Sequence, residues 1–321
     1  MTQNHKHNHH TRRNFLALGA VGAMGLYMAY SEQYVPKMMR ELVADAGRSI
    51  LTPTHKPQPK RWLDNAITAS WLGHSSVLLN FYGVTILTDP VLGMRVGADL
   101  GLATVGPKRL VAPALSVKQL PHIDLVLMSH AHMDHFDMAT LKQMPDTTAA
   151  VTAKATSDLF GYTNITKTKE LAWGEKTTVR TSNGEVNVQA FEVKHWGARW
   201  RHDTQRGYNG YVLEREGRKV IFGGDTAMTD TFKPLRSRGP YDLAIMPIGA
   251  YQPWECSHCT PEQSLRMAND AGANYILPIH HKTFKLGREG AHEPIERLQK
   301  ALASEPERIA LKDIGETFSM A

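Results

Sequence analysis

The sequence predicts a mixed α/β domain of the α+β kind, and three observations carry that expectation. Apolar runs of strand length recur along the chain and end in polar turns, as buried strands do. The first runs are separated only by short Gly turns, which suits antiparallel neighbours opening a sheet. Later runs alternate with helix-length segments, some of them amphipathic.

The chain of 321 residues suits one large domain or two small ones, and no internal repeat is visible. A net charge of +6 is mild for this length; it favours anionic substrates or surfaces, and is equally what a solvated exterior carries. No Lys/Arg block or aromatic–basic interleaving occurs, so no nucleic acid partner is expected.

Residues 1–35 read as a Tat signal peptide or anchor. Arg12-Arg13-Asn14-Phe15-Leu16 is a twin-arginine pattern, and a Gly- and Ala-rich apolar run follows from Phe15 to Tyr30. No A-x-A cleavage site follows, which leaves retention as an anchor open. The reading implies the Tat export machinery as a partner and a periplasmic location, or the periplasmic face of the inner membrane. His5, His7, His9 and His10 lie upstream of the signal and read as its polar start. Residues 36–60 read as a linker with a short helix over Lys37 to Arg48, then Pro53, Pro57 and Pro59. The compact domain is then 61–321.

Within it, Ile67 to Leu72 and Ser76 to Phe81 are predicted strands around Gly73-His74-Ser75, and Val84 to Thr88 is a third, ending in Asp89. Val91 to Pro121 is loop-like, with Gly and Pro throughout; long irregular stretches of this kind are often functional. Its Leu92, Met94, Val96, Leu100 and Leu102 either rim an entrance or form a satellite core. The run Ile123 to Met128 is a buried strand, followed by helix around Asp137 to Met144. Next come a strand at Ala149 to Ala153, a helix at Ser157 to Tyr162, and strands at Val179 and Val186 to Val193. A hairpin spans Tyr208 to Glu214 and Lys219 to Phe222 over Glu216-Gly217. Asp242 to Ile248 and Tyr275 to Ile279 are strands. Pro261 to Ala271 is a helix capped by Thr260, with Glu262 in its first turn. Pro294 to Ser304 is amphipathic helix, and Ile309 to Met320 a closing strand pair around Gly315.

The chemistry concentrates in Ser129-His130-Ala131-His132-Met133-Asp134-His135 at the end of a predicted strand. Alternate side chains of extended backbone point the same way, so His130, His132 and Asp134 converge, and His135 turns in as helix begins. Three imidazoles and a carboxylate suit zinc or a similar borderline metal, and four donors from one loop suit two ions better than one. A lone histidine would read as structural; this spacing does not. Gly223-Gly224-Asp225-Thr226 follows another apolar strand, where glycines admit the backbone close to an ion. Cys256 and Cys259 bracket Ser257-His258. Two cysteines cannot make a zinc site alone, and in an exported protein they are candidates for a disulfide.

The stretches WLGHSS, LTDP, SHAHMDHFD, HW, GGDT, PIGAY and PIHHKTF resemble metallo-β-lactamase-fold hydrolases, and within them the N-acyl phosphatidylethanolamine-hydrolysing phospholipase D family. The resemblance runs from about Ile67 to Met320 and implies a four-layer αββα sandwich with metals at one edge. It implies two Zn2+ ions, with Mn2+ as the alternative. One goes to His130, His132 and His195, with His202 in reserve. The other goes to Asp134, His135 and His280, and Asp225 bridges them. His281 competes with His280, since neighbours in a strand face opposite ways. His74 and Asp89 fall near the metals, or are turn-forming polar residues. Asp134 is implied as the proton acceptor and His258 as a second catalytic residue. The Tat leader and the Cys-containing loop after PIGAY depart from the family pattern, which puts the exact lipid in doubt. The expected activity is a metal-dependent phosphodiesterase of phospholipase D type acting on a phospholipid at a membrane surface. The alternative is a lactonase of the sugar-phosphate lactonase kind acting on a small anionic ester. The diiron oxidoreductase branch carries Glu where His132 stands. A homodimer is left open.

Overall fold

The first strands pair in the order of the chain. A computed structural model describes Asp45, residues 47–99, 101 and 104–321, and the fold lies in the unit Ser49–Ala321. The expected twin-arginine leader and nearly all of the expected Lys37 to Arg48 helix lie outside the described residues. β1 (Ile67–Gly73), β2 (Ser76–Phe81) and β3 (Val84–Thr88) form an antiparallel meander. β1 alternates Ile67, Ala69 and Trp71 with Thr68 and Ser70, yet all seven residues are buried, because both faces of the sheet are covered.

Between β3 and β6 the chain runs through a small ladder of β4 (Ala98–Asp99) and β5 (Thr104–Val105). β6 (Leu125–Leu127), β7 (Ala149–Ala153) and β8 (Lys167–Leu171) then add in parallel to β3. The second sheet begins with an antiparallel run of β9 (Lys176–Thr181), β10 (Gly184–Phe191), β11 (Gly210–Arg215) and β12 (Arg218–Phe222). β13 (Tyr241–Pro247) and β14 (Ala273–Ile279) extend it in parallel. The last strand, β15 (Thr317–Met320), returns to β1. The sheet orders are β15-β1-β2-β3-β6-β7-β8 and β14-β13-β12-β11-β10-β9.

Val186, Val188 and Ala190 of β10 join Leu213, Phe222, Ile245 and Ile279 in one cluster with Ile67, Ala69 and Trp71, so the main core lies between the sheets. The same cluster takes Leu141 from helix α1 (Met138–Leu141) and Phe160 from a 3₁₀ segment, Ser157–Tyr162, on the first sheet. The other face of the second sheet offers Val212, Ile221, Ala244 and Ile276. It is covered by α2 (Pro261–Ala271), α3 (Glu293–Ala301) and the 3₁₀ segment Asp230–Arg238. The result is the αββα sandwich.

Four details differ from expectation. Ser157–Tyr162 is 3₁₀ rather than α. The closing pair is one strand, since Ile309 makes only an isolated bridge to Ile276. β8 went unread because Lys167, Thr168, Lys169 and Glu170 are polar; it is an edge strand, where charge discourages further pairing. Asp230–Arg238 went unread because Pro234 lies inside it.

Candidate metal centre

Chain direction brings the site together. Parallel pairing puts the C-terminal ends of β3 and β6 side by side, and likewise those of β12, β13 and β14. Ligand sites in such sheets lie beyond those ends. Asp89 follows β3, His130 to His135 follow β6, His195 follows β10, Asp225 follows β12 and His280 follows β14. His74 joins them from the β1–β2 turn. Asn209 N–H donates to Ser129 O (2.9 Å), tying the facing edges of the two sheets. Two glycines permit this closeness. A Cβ on Gly224, whose φ is +56°, would stand 2.6 Å from that of Ser129, and one on Gly249 would stand 2.1 Å from His280 O.

Two groups of donors result, His130, His132 and His195, and His74, Asp134, His135 and His280; Asp89 groups with His130 and His135, one from each, and Asp225 with His195 and His258. His130 Nε2 and His195 Nε2 lie 2.8 and 3.2 Å from His132 Nδ1. Asp225 Oδ2 lies 3.1 Å from His135 Nε2, 3.2 Å from His280 Nε2, 3.7 Å from His258 Nδ1 and 3.8 Å from His195 Nε2. It is the centre of the cluster. Asp134 Oδ2 lies 3.1 Å from His74 Nε2 and 3.5 Å from His280 Nε2.

Hydrogen bonds from behind set the ring orientations. Asp89, fully buried, accepts from Ser129 N–H (2.7 Å), from the Ser129 hydroxyl and from His135 Nδ1–H (2.7 Å). With its proton on Asp89, Ser129 Oγ accepts from His130 Nδ1–H (2.8 Å). His195 Nδ1–H donates to Ser257 O (2.9 Å). All three rings thus turn a bare Nε2 inward, the arrangement that outer hydrogen bonds impose on metal-binding histidines. His74, Asp89, Ala250 and His280 hold φ between 29° and 65° around the cluster. Such backbone costs about 1–3 kcal/mol per residue and survives only where surroundings over-determine it.

The donor set fits cations. Bare ring nitrogens face one another, and His135 Nε2, His280 Nε2 and Asp225 Oδ1 are buried with no hydrogen-bond partner. Buried polar atoms are rarely left so. Burial lowers the pKa of His132 to about 4 and of His195 to about 3, leaving both neutral and able to ligate. Burial acts the same way on His280, but Asp225 and Asp134 outweigh it and raise that ring to about 9; His135 is raised for the same reason. Asp225 is held well below the usual carboxylate range, because His135 and His280 outweigh its burial. The carboxylates therefore draw positive charge inward, and protons take that place when no ion does.

All seven expected ligands and His258 lie in this cluster. His202 is exposed and outside it. The ring of His281 stacks on Trp71 (centroids 4.5 Å apart, planes at 21°) instead of facing Asp225. The suggested disulfide is not formed: Cys256 is an exposed thiol, and Cys259 is buried with its thiol donating to Pro247 O (3.4 Å). Of the cleft walls, sequence reasoning offered only Val96, which both lines the cleft and packs in a small satellite cluster with Val91 and Phe284. A hollow of about 330 Å³ has His132, Asp134, Asp225, His258 and His280 in its lining and Val96, Pro107, Met133, Trp196, Trp254 and Leu286 as its apolar walls. Trp196 directly follows His195, and Trp254 lies just before His258, but nothing local marks them as walls. A larger hollow of about 580 Å³, lined by Lys176, Lys219 and Arg238 among others, contains none of these donors, so the chemistry belongs to the smaller one.

The family model described as the beta-lactamase superfamily domain matches residues 84–281. An uncharacterized protein of Mycobacterium tuberculosis is 31% identical over 268 residues, which span 81% of this chain and 70% of the relative. A Caenorhabditis elegans N-acyl-phosphatidylethanolamine-hydrolyzing phospholipase D is 29% identical over 254 residues, 74% of this chain and 70% of the relative. Among solved structures, an isothiocyanate hydrolase from Delia radicum gut bacteria shares the fold. Its TM-score is 0.62 at 17% identity, covering 79% of this chain and 99% of that one.

Proposed function

The chain belongs to the beta-lactamase superfamily and is a metal-dependent hydrolase, and we propose that it is a dinuclear zinc phosphodiesterase of phospholipase D type. The proposed substrate is an anionic lipid of the N-acyl phosphatidylethanolamine kind, cut on the head-group side. One observation carries the substrate class: the cleft reaching the donor cluster is walled by apolar side chains, two of them the half-exposed Trp196 and Trp254. Apolar walls of this kind are what an acyl chain requires. The relative named as a phospholipase D supports the same reading.

In this reading His130, His132 and His195 would hold one ion, Asp134, His135 and His280 the other, and Asp225 would lie within reach of both. Bound there, two divalent ions, zinc or manganese, supply Lewis acidity and a water of lowered pKa. Asp134, whose side chain is 22% exposed against 1% for Asp225, is the carboxylate that solvent in the cleft can reach, and it accepts the proton of the attacking water. Burial lowers the His258 pKa to about 4, so it enters as a neutral hydrogen-bond donor to a phosphoryl oxygen or to the leaving group. The walls exclude water around the diester. Exposed Trp196, Trp200 and Trp254 suit a membrane interface, where such rings favour the boundary between lipid and water. With residues 1–35 taken as a twin-arginine leader, the membrane in this proposal is the inner membrane, met at its periplasmic face.

The modest volume of the cleft keeps a second reading, a lactonase acting on a small anionic ester. The deciding assay offers the zinc-loaded protein N-acyl phosphatidylethanolamine vesicles, a soluble aryl phosphodiester and a panel of lactones. Cleavage of the lipid and the diester is expected. Lactone turnover without diester cleavage would defeat the lipid reading.

A further inference from the structure

Two sequence motifs, Trp71-Leu72-Gly73-His74 and His280-His281-Lys282-Thr283, are stitched together beneath the donor cluster. His74 and His280 both hold left-handed backbone, with φ 53° and 65°. The His74 carbonyl accepts from the Trp71 indole N–H (2.7 Å) and from His280 N–H (3.0 Å). His74 N–H donates to Thr283 Oγ1 (2.6 Å), and the Thr283 hydroxyl donates to His281 O (3.0 Å). Trp71 is locked in turn by its stack on His281.

This apparatus has one product. It aims His74 Nε2 at Asp134 Oδ2, at 3.1 Å and with hydrogen-bond geometry. His280 Nε2 faces the same oxygen at 3.5 Å without such geometry. Asp134 needs an anchor more than its acidic neighbour does, since it sits on a loop with 22% of its side chain exposed. A turn alone would not need a histidine here, because Gly, Asn or Asp would also serve left-handed backbone.

We propose that His74 is a positioning residue: its Nε2–H fixes the Asp134 carboxylate in the orientation that serves both metal binding and proton acceptance. The inference rests on the dinuclear hydrolase reading above, though not on the lipid.

The test uses the full chain and three variants, with cobalt as the probe metal. His74→Asn suits the left-handed backbone but ends short of Asp134, and His74→Gln returns an amide donor near the Nε2 position. Trp71→Phe removes one support of the His74 carbonyl and leaves the Asp134 contact in place. At saturating metal, His74→Asn should still hold two ions. A chelator should remove one of them about 10–100-fold more readily than from the wild type, the usual consequence of losing an outer hydrogen bond to a ligand. The cobalt d–d bands should shift, and kcat on the aryl diester should fall by a similar factor with KM unchanged. His74→Gln should recover all three readouts in part, and Trp71→Phe should shift the cobalt bands by less, in the same direction. Wild-type chelator competition and bands in His74→Asn would overturn the proposal and leave His74 a turn residue. A fall to one ion at saturating metal would overturn it differently, by making His74 a ligand. The cobalt readouts need no lipid, so they stand if lipid cleavage fails. A wild-type chain that takes up no cobalt would overturn both readings.

Discussion

Replacing Asp89 with Asn changes one oxygen to an amide nitrogen and should disturb both halves of the metal centre. The carboxylate is fully buried and accepts three hydrogen bonds, from Ser129 N–H, the Ser129 hydroxyl and His135 Nδ1–H. An Asn can keep one acceptor for Ser129 N–H, but its NH2 then faces two donors. His135 must lose its Nδ1 proton or leave it unpaired, and losing it moves the proton to the Nε2 that faces Asp225. The Ser129 hydroxyl must turn to accept from Asn, and its displaced proton either meets His130 Nδ1–H or loses its buried acceptor. One charge-assisted bond forgone is worth about 1.5–3 kcal/mol, and a buried donor left unpaired adds about 1–3. With relaxation, about 3 kcal/mol is expected, and at about 2–4 °C per kcal/mol the melting midpoint falls by about 6–12 °C. Zinc affinity should fall by about 10–100-fold, as for other outer partners of metal-binding histidines. Thermal unfolding with and without zinc, and competition with a chelator, measure both numbers. A variant that melts within a degree of the wild type and keeps its zinc affinity would refute the tautomer argument.

Three further outcomes follow from other parts of the molecule. Trp196→Ala with Trp254→Ala should raise KM for lipid vesicles by about tenfold or more and leave the aryl diester nearly unaffected, because only an acyl chain uses the walls; steady-state kinetics on both substrates checks it. Arg206 lowers the pKa of Asp158 by a side-chain bond, and it lowers that of Asp203 by outweighing the effect of burial. Depressed carboxylates contribute stability that is present above their ordinary 3.8 and lost as pH falls through the folded value. The melting difference between the wild type and Arg206→Gln should therefore be full near neutral pH and shrink in acid below 3.8. A difference that grows in acid would reverse the sign. Changing Arg12 and Arg13 to Lys should trap the protein inside the cell, and cell fractionation reads the result directly.

Local patterns carried the parts of this protein whose residues are neighbours in the chain. His130 to His135 could be read because four donors fall within one turn after an apolar strand, and α2 because Thr260 and Pro261 mark its start. Gly223-Gly224-Asp225 could be read for a similar reason. His74 and Asp89 could be placed only vaguely. Their partners, Asp134 and His135, lie 60 and 46 residues away, and a residue that orients another shows no spacing of its own. The choice between His280 and His281 was likewise closed to pattern: strand alternation separates the two rings, but only Trp71, which claims one of them, says which faces inward. The cleft walls come from separate loops around Val96, Trp196, Trp254 and Leu286, and only the folded chain makes them adjacent.

The donors come from loops of both sheets, with His132 after β6 of the first and His195 after β10 of the second, their ring nitrogens 3.2 Å apart. Any ion held between them would be a cross-link across the sandwich. Folding and ion binding would then be coupled, since ligands from the two sheets meet only once the sandwich has closed.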